Sequence, residues 1–308
     1  MIQNKEHYNY FQIHQNSSLP MAMEYDSGMA GSHIMFVGSL HGHEPAGAIA
    51  CVEVHQKLKS SQLKLKSGKV TFVLGNPKAF LDNQRFVNTN LNRAFLDDIE
   101  SGVEGERALE FRNYFDSNSV DYLIDLHSVS SGDFKFVVYF EDEVLSELAV
   151  KLSPVGTHLI VNSSILPGSL MEEAARYGAK SLVFECGNNN DQATVEIAKH
   201  HITSALLYLY MIDTNVELPD IKPSTEICKY KVLDYIRPGV GFKFLNPKIT
   251  TGSYLTKGQV YAKLGDGFKY EAKTDCYIVM PDLYPNPNDH DAGFLCSKET
   301  MTRPVKLE

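Results

Sequence analysis

Four stretches of this 308-residue chain carry side chains of the types and spacing that chemistry requires. The first is Gly38-Ser39-Leu40-His41-Gly42-His43-Glu44-Pro45-Ala46-Gly47. His41 and Glu44, with the tight turn that Gly42 permits, can aim one imidazole nitrogen and one carboxylate at a common point. Zinc accepts that mixed nitrogen and oxygen ligation. A third ligand has to come from elsewhere, and Asp125-Leu126-His127 is the best candidate because its period of two puts both side chains on one side of a strand. Glu185 ends another apolar run just before Gly187, which leaves a carboxylate at a strand end. The polar segment Arg85-Phe86-Val87-Asn88-Thr89-Asn90-Leu91-Asn92-Arg93 is too rich in Asn and Arg for a plain linker; its alternative reading is a solvated surface loop.

Such groups need a scaffold, and the apolar runs supply one. Ile34 to Val37 reads as a buried strand that delivers the His41 loop to a helix from Ala46 to about Leu58. Val70 to Leu74 is a second strand, leaving through Gly75-Asn76-Pro77, and Tyr122 to Ile124 leads into Asp125 and His127. A helix is expected from Glu104 to about Phe115, with Leu109, Phe111 and Phe115 buried. Strands at Phe134 to Phe140, His158 to Val161 and Ser181 to Gly187 alternate with helices at Glu143 to Lys151, Leu170 to Tyr177 and Ala193 to about Met211. The pattern is α/β, with a largely parallel sheet flanked by helices. Residues 1 to about 32 read as edge structure, with a strand-like alternation over Tyr8 to Ile13. Asn215 to Pro223 reads as a linker, beyond which short runs broken by Gly and Pro predict a small antiparallel β domain. The expected domains are 1–215 and 224–308.

Composition narrows the partners. A net charge of -9 and the lack of a Lys/Arg cluster disfavour nucleic acid and anionic membrane surfaces. No apolar run approaches the ~20 residues of a membrane span, and the N-terminus lacks a secretion signal, so a cytoplasmic location is expected. Five scattered cysteines (Cys51, Cys186, Cys228, Cys276, Cys296) form no CxxC pair and read mostly as buried small hydrophobes. His33, His55, His158, His200, His201 and His290 have no ligand-like partners at useful spacing and read as surface or core residues.

Taken together, these pieces resemble the succinylglutamate desuccinylase and aspartoacylase family, a branch of the zinc carboxypeptidase superfamily. The resemblance rests on His41-Gly42-His43-Glu44, Asn76-Pro77-Lys78-Ala79, Arg85 with Asn90-Leu91-Asn92-Arg93, Asp125-Leu126-His127 and Glu185-Cys186-Gly187, in the family's order over most of the chain. It implies a zinc-carboxypeptidase-like mixed sheet followed by a barrel-like C-terminal β domain. It also implies that His41, Glu44 and His127 bind one zinc ion and that Glu185 is the general base and acid. By the same resemblance, Arg85 polarises the scissile carbonyl, Asn92 and Arg93 grip a substrate carboxylate, and Arg176 lies near a substrate-binding arginine. The implied activity is hydrolysis of an acetyl- or succinyl-type amide in a small anionic N-acyl amino acid. The alternatives are a carboxypeptidase acting on a peptide C-terminus and a catalytically weak binder of metal or metabolite. A homo-oligomer is compatible with either. The chain departs from the family pattern at Asn90, where the family has Asp, and at His43, where it has Asn. His43 could be a fourth ligand, a proton shuttle or an unrelated loop residue.

Overall fold

A computed structural model describes residues 2–99, 101–129, 134–162, 165, 167–216, 218–219, 221–285, 287 and 291–304. His290 therefore lies outside the described residues. Two units are distinguished, one comprising residues 1–156 and 166–224, the other 157–165 and 225–308.

The first unit runs α1 (Ile2–His14), β1 (Ala22–Asp26), β2 (His33–Gly38), α2 (Ala46–Lys59), β3 (Lys69–Leu74), α3 (Pro77–Asp82), a single 3-10 turn over Leu91–Arg93, α4 (Val103–Ser117), β4 (Tyr122–Val129), β5 (Lys135–Phe140) and α5 (Glu143–Leu152). After β6 (Thr157–Val161), which belongs to the second unit, it resumes with α6 (Leu170–Arg176), β7 (Lys180–Asn188) and α7 (Ala193–Tyr208). Its strands lie in the order β1, β3, β2, β4, β7, β5. β2 pairs in parallel with β3 and β4, and β4 in parallel with β7, while β1 and β5 are antiparallel to their neighbours. Strand β2 is buried throughout, and β3 and β4 are buried except at their ends, as expected of strands covered on both faces.

Helix α2 crosses β2 at backbone contact. A Cβ on Gly38 would come within 2.2 Å of the Ala48 nitrogen, and one on Gly47 within 2.5 Å of the Leu126 carbonyl oxygen. No larger residue fits that crossing. Opposite, Phe95, Phe111 and Phe115 pack with Met35, Val37 and Leu123. The local signals for the shorter helices are direct: Asp142 caps α5 at Leu145 N, and Ser169 caps α6 at Glu172 N.

Two expectations about the helices of this unit need correction. Tyr8 to Ile13 is helical, inside α1. Phe11 and Asn4 are buried and His7, Tyr8 and His14 are half-buried, a spacing of three and four residues, whereas Ile13 is 75% exposed. Asn4 Nδ2 donates to the Phe80 carbonyl at 3.0 Å, fixing that face. Leu109 is exposed, because α4 turns Glu104, Arg107, Ala108, Phe111 and Phe115 inward and leaves Leu109 off that stripe.

In the second unit β6 pairs in parallel with β8 (Glu226–Tyr235), so a segment expected in the first domain joins the second. The remaining elements are β9 (Lys243–Phe244), β10 (Ser253–Leu255), β11 (Val260–Lys263), β12 (Lys269–Glu271), β13 (Cys276–Val279) and β14 (Phe294–Thr302). β14, nine residues long and not expected from the sequence, pairs antiparallel with β8 and β13. β12, β11 and β9 form a separate antiparallel sheet.

Candidate metal and catalytic centre

Parallel pairing of β2, β4 and β7 brings their C-terminal ends to one edge, the usual place for a ligand site in an α/β sheet. The chain leaves β2 through Ser39, held at φ 57° in the left-handed region, whose hydroxyl donates to the Glu44 carbonyl at 2.8 Å. Gly42 then passes against α3 so closely that a Cβ would lie 2.1 Å from the Ala79 carbonyl carbon, while its N–H donates to the Arg85 carbonyl at 3.1 Å. This double hold turns His41 and Glu44 toward the same point.

The geometry there is specific. His41 Nδ1 lies 2.9 Å from Glu44 Oε1, and His127 Nδ1 lies 2.9 Å from Glu44 Oε2. The far nitrogen of each ring faces a fixed acceptor: His41 Nε2 meets Asn90 Oδ1 at 3.1 Å and His127 Nε2 meets Asp125 Oδ2 at 2.8 Å. Asn90 Oδ1 also accepts from Asn92 N at 2.9 Å, which identifies it as the carboxamide oxygen. With a proton on each Nε2, both Nδ1 lone pairs point at a carboxylate. Acceptors facing acceptors at that distance are stable only with a positive charge between them. The donor atoms of His41, Glu44 and His127 all lie within 4.8 Å of one another, and all three residues are buried. Two imidazoles and a carboxylate are a donor set that zinc takes, so these residues fit the ion.

The electrostatics agree. Burial, helped by the Arg85 charge, pushes His41 down to about 3. Burial pushes His127 down as well, but Asp125 and Glu44 on either side outweigh it and hold the ring well above its ordinary value. Burial pushes the Glu44 carboxyl up, and the two imidazoles more than offset that. Glu185, the register partner of His127 on β7, is raised to about 7, chiefly by burial. Its Oε2 has no hydrogen-bond partner among the described residues.

The other sequence candidates separate. Arg85 is exposed and reaches Glu44 Oε1 at 3.5 Å. Asn92 Oδ1 accepts from Leu170 N at 3.0 Å and so holds the start of α6, while Arg93 NH1 donates to the Asn92 carbonyl at 2.6 Å. Arg176, at the far end of α6, pairs with Asp97 at 2.9 Å, Glu172 at 3.6 Å and Glu173 at 3.7 Å. It is committed to that acidic group. His43 is half-buried; its ring centroid is 6.3 Å from that of His41, and its Nδ1 has no partner among the described residues. The Asn189 amide donates to the His43 carbonyl at 2.9 Å. Sequence reading missed the Ser128 N–H, which donates to Glu44 Oε2 at 3.3 Å, and the buried Glu104 described below. A backbone donor leaves no trace in residue types. Glu104 looked like an ordinary acidic residue in a first helical turn.

A family model, the succinylglutamate desuccinylase/aspartoacylase catalytic domain, matches residues 30–209. The chain is 25% identical over 277 residues to a succinylglutamate desuccinylase of Shewanella woodyi, covering 82% of this chain and 78% of that one. It is 28% identical over 121 residues to an N-acyl-aromatic-L-amino acid amidohydrolase (carboxylate-forming) of Xenopus laevis, covering 36% and 39%. Among solved structures, a succinylglutamate desuccinylase from Vibrio cholerae has the same fold, with a TM-score of 0.71, 17% identity and coverage of 90% of this chain and 85% of that one.

Proposed function

The chain belongs to the succinylglutamate desuccinylase/aspartoacylase family, and from that membership and the site geometry we propose that it is a zinc-dependent hydrolase removing an acyl group from a small anionic N-acyl amino acid. The observation that carries this reading is the pair of Nδ1 atoms converging on one carboxylate, each ring locked from behind by Asn90 or Asp125. A bound zinc ion would supply Lewis acidity and make a water molecule a nucleophile near neutral pH.

The protein groups then divide the work. Glu185, raised to about 7, can take a proton from the attacking water and later hand it to the departing amine. Water oxygen bonds to the acyl carbon, the C–N bond breaks, and the products are a carboxylate and an amine. Arg85, beside Glu44, is placed to hold charge developing on the carbonyl oxygen. Asn92 and Arg93 are assigned to the substrate carboxylate, where a guanidinium gives bidentate geometry. Arg176 stays at the margin of the proposal, given its acidic partners.

The test is metal analysis followed by amine release over a panel of N-acetyl and N-succinyl amino acids. About one zinc per chain is expected, abolished in His41→Ala and His127→Ala. Full zinc occupancy in both variants, or no amine from any substrate, would overturn the reading.

A further inference from the structure

A further buried carboxylate plays no part in the chemistry above. Glu104, in the first turn of α4, has no exposed surface. Its Oε1 accepts from Val87 N at 2.7 Å and Asn76 Nδ2 at 3.0 Å, and its Oε2 accepts from Asn88 N at 2.9 Å and Thr89 N at 3.2 Å. Three of these donors are consecutive backbone amides in the middle of the Arg85 to Arg93 loop. Asn76, the fourth, also caps α3 through Ala79 N at 3.2 Å, and Ala79 is the backbone against which Gly42 packs.

Beyond these four bonds the middle of the loop is tied to α4 by Asn88 Oδ1, which accepts from Val103 N at 2.9 Å, and its start is held by the Gly42 N–H on the Arg85 carbonyl at 3.1 Å. Arg85 and Asn88 are exposed, Phe86, Val87, Thr89 and Asn90 are half-buried or more open, and only at Leu91 does a fully buried side chain appear. Yet both ends of the segment matter to the site: Arg85 lies 3.5 Å from Glu44, and Asn90 lies 3.1 Å from His41. Resting on the hydrolase reading, we propose that Glu104 is a positioning residue, fixing the backbone of residues 87–89 and thereby setting where Arg85, Asn90 and Arg93 stand relative to His41.

Only a carboxylate suits the place. It offers acceptors on both oxygens and no donor, whereas an amide would turn an N–H against backbone N–H groups. Burial pushes the Glu104 carboxyl up, but the hydrogen bonds from the loop and Asn76 outweigh it and hold it below its ordinary value. Arg107, one turn along α4, is also buried and donates to the Gly75 and Leu74 carbonyls, both at 2.8 Å. One helix thus grips the loop by its amides and the end of β3 by its carbonyls.

The test compares zinc-loaded wild type with E104Q by hydrogen exchange and steady-state kinetics. Amides 87–89 should exchange at least ~10-fold faster in E104Q, with β4 and β7 unchanged, and KM should rise about 10-fold or more, because the carboxylate grip is lost. A merely structural role would speed exchange everywhere and shrink the active fraction at constant KM. If E104Q does not fold, E104D keeps the charge at shorter reach and should show the same pattern at smaller size. Unchanged exchange over 87–89, or unchanged KM in active enzyme, overturns the proposal. Absence of amine release from the wild type counts against the hydrolase reading instead, and the exchange result still decides whether Glu104 holds the loop.

Discussion

Asn90 offers the sharpest perturbation, because its oxygen takes two donors at once: His41 Nε2 at 3.1 Å and Asn92 N at 2.9 Å. Asn90→Asp keeps the acceptor for both and adds a negative charge behind His41. Partners of this kind are worth roughly 10- to 100-fold in metal affinity, or about 1.4 to 2.7 kcal/mol. The same charge favours a proton on the ring, so competition must be weighed. Burial, helped by the Arg85 charge, holds His41 down at about 3, which works against that proton. The gain then goes chiefly to the metal. The assay is a zinc titration of metal-free protein against a chelating dye, with wild type, N90D and N90A side by side. N90D should hold zinc about 10-fold tighter or more and N90A more weakly. Equal affinity in N90D and wild type would refute the inference that this oxygen governs the donor strength of His41.

Glu185→Gln should retain zinc and lose at least ~10²-fold in turnover, since an amide cannot relay a proton. Because the base works ionised, kcat/KM in the wild type should be full above about 7 and fall as pH drops through it; an unchanged acid limb in the variant would remove Glu185 from the mechanism. Arg93→Ala should cost carboxylate substrates about 10- to 100-fold more in kcat/KM than their esters, the worth of a charge-assisted bond. Equal losses would show that Arg93 serves the loop alone. Gly42→Ala forces a Cβ to within 2.1 Å of the Ala79 backbone, so roughly 1 to 3 kcal/mol of stability should be lost, visible as a Tm several degrees lower. A wild-type Tm would mean the loop yields at no cost.

The sheet was legible because its strands are short apolar runs ending in Gly, Asn or a charged residue, and the clustering of His41, Glu44, His127 and Glu185 followed from those ends. Helix α1 was not, since Tyr8 to Ile13 reads loosely as a strand-like alternation of apolar and polar residues, and only burial of Phe11 and the Asn4 bond show which period governs. β14 escaped because its last six residues, Ser297–Thr302, are mostly exposed and polar, and its pairing with β8 across a long stretch of chain supplies the stability its composition does not signal. Asn90 stands out in the sequence as a departure from the family's Asp, a position that the resemblance sets behind His41, where its oxygen is found at 3.1 Å. The role of Glu104 lies in backbone amides, which every non-proline residue carries alike.

Glu44 and His127 stand 83 residues apart in the chain and meet only once β2 and β4 have paired in register. A zinc finger gathers its ligands locally and folds around the ion; here the ligands come together by non-local pairing that has to be completed first. On the proposed zinc reading, the ion would bind only after that pairing and so contribute nothing to the folding transition state. Interactions absent from a folding transition state act on the reverse rate, so zinc should lengthen the lifetime of the native protein while leaving its refolding rate unchanged. Stopped-flow unfolding and refolding with and without chelator would show this, and a zinc-accelerated refolding limb would mean that the two strands are already joined by the metal before the sheet closes.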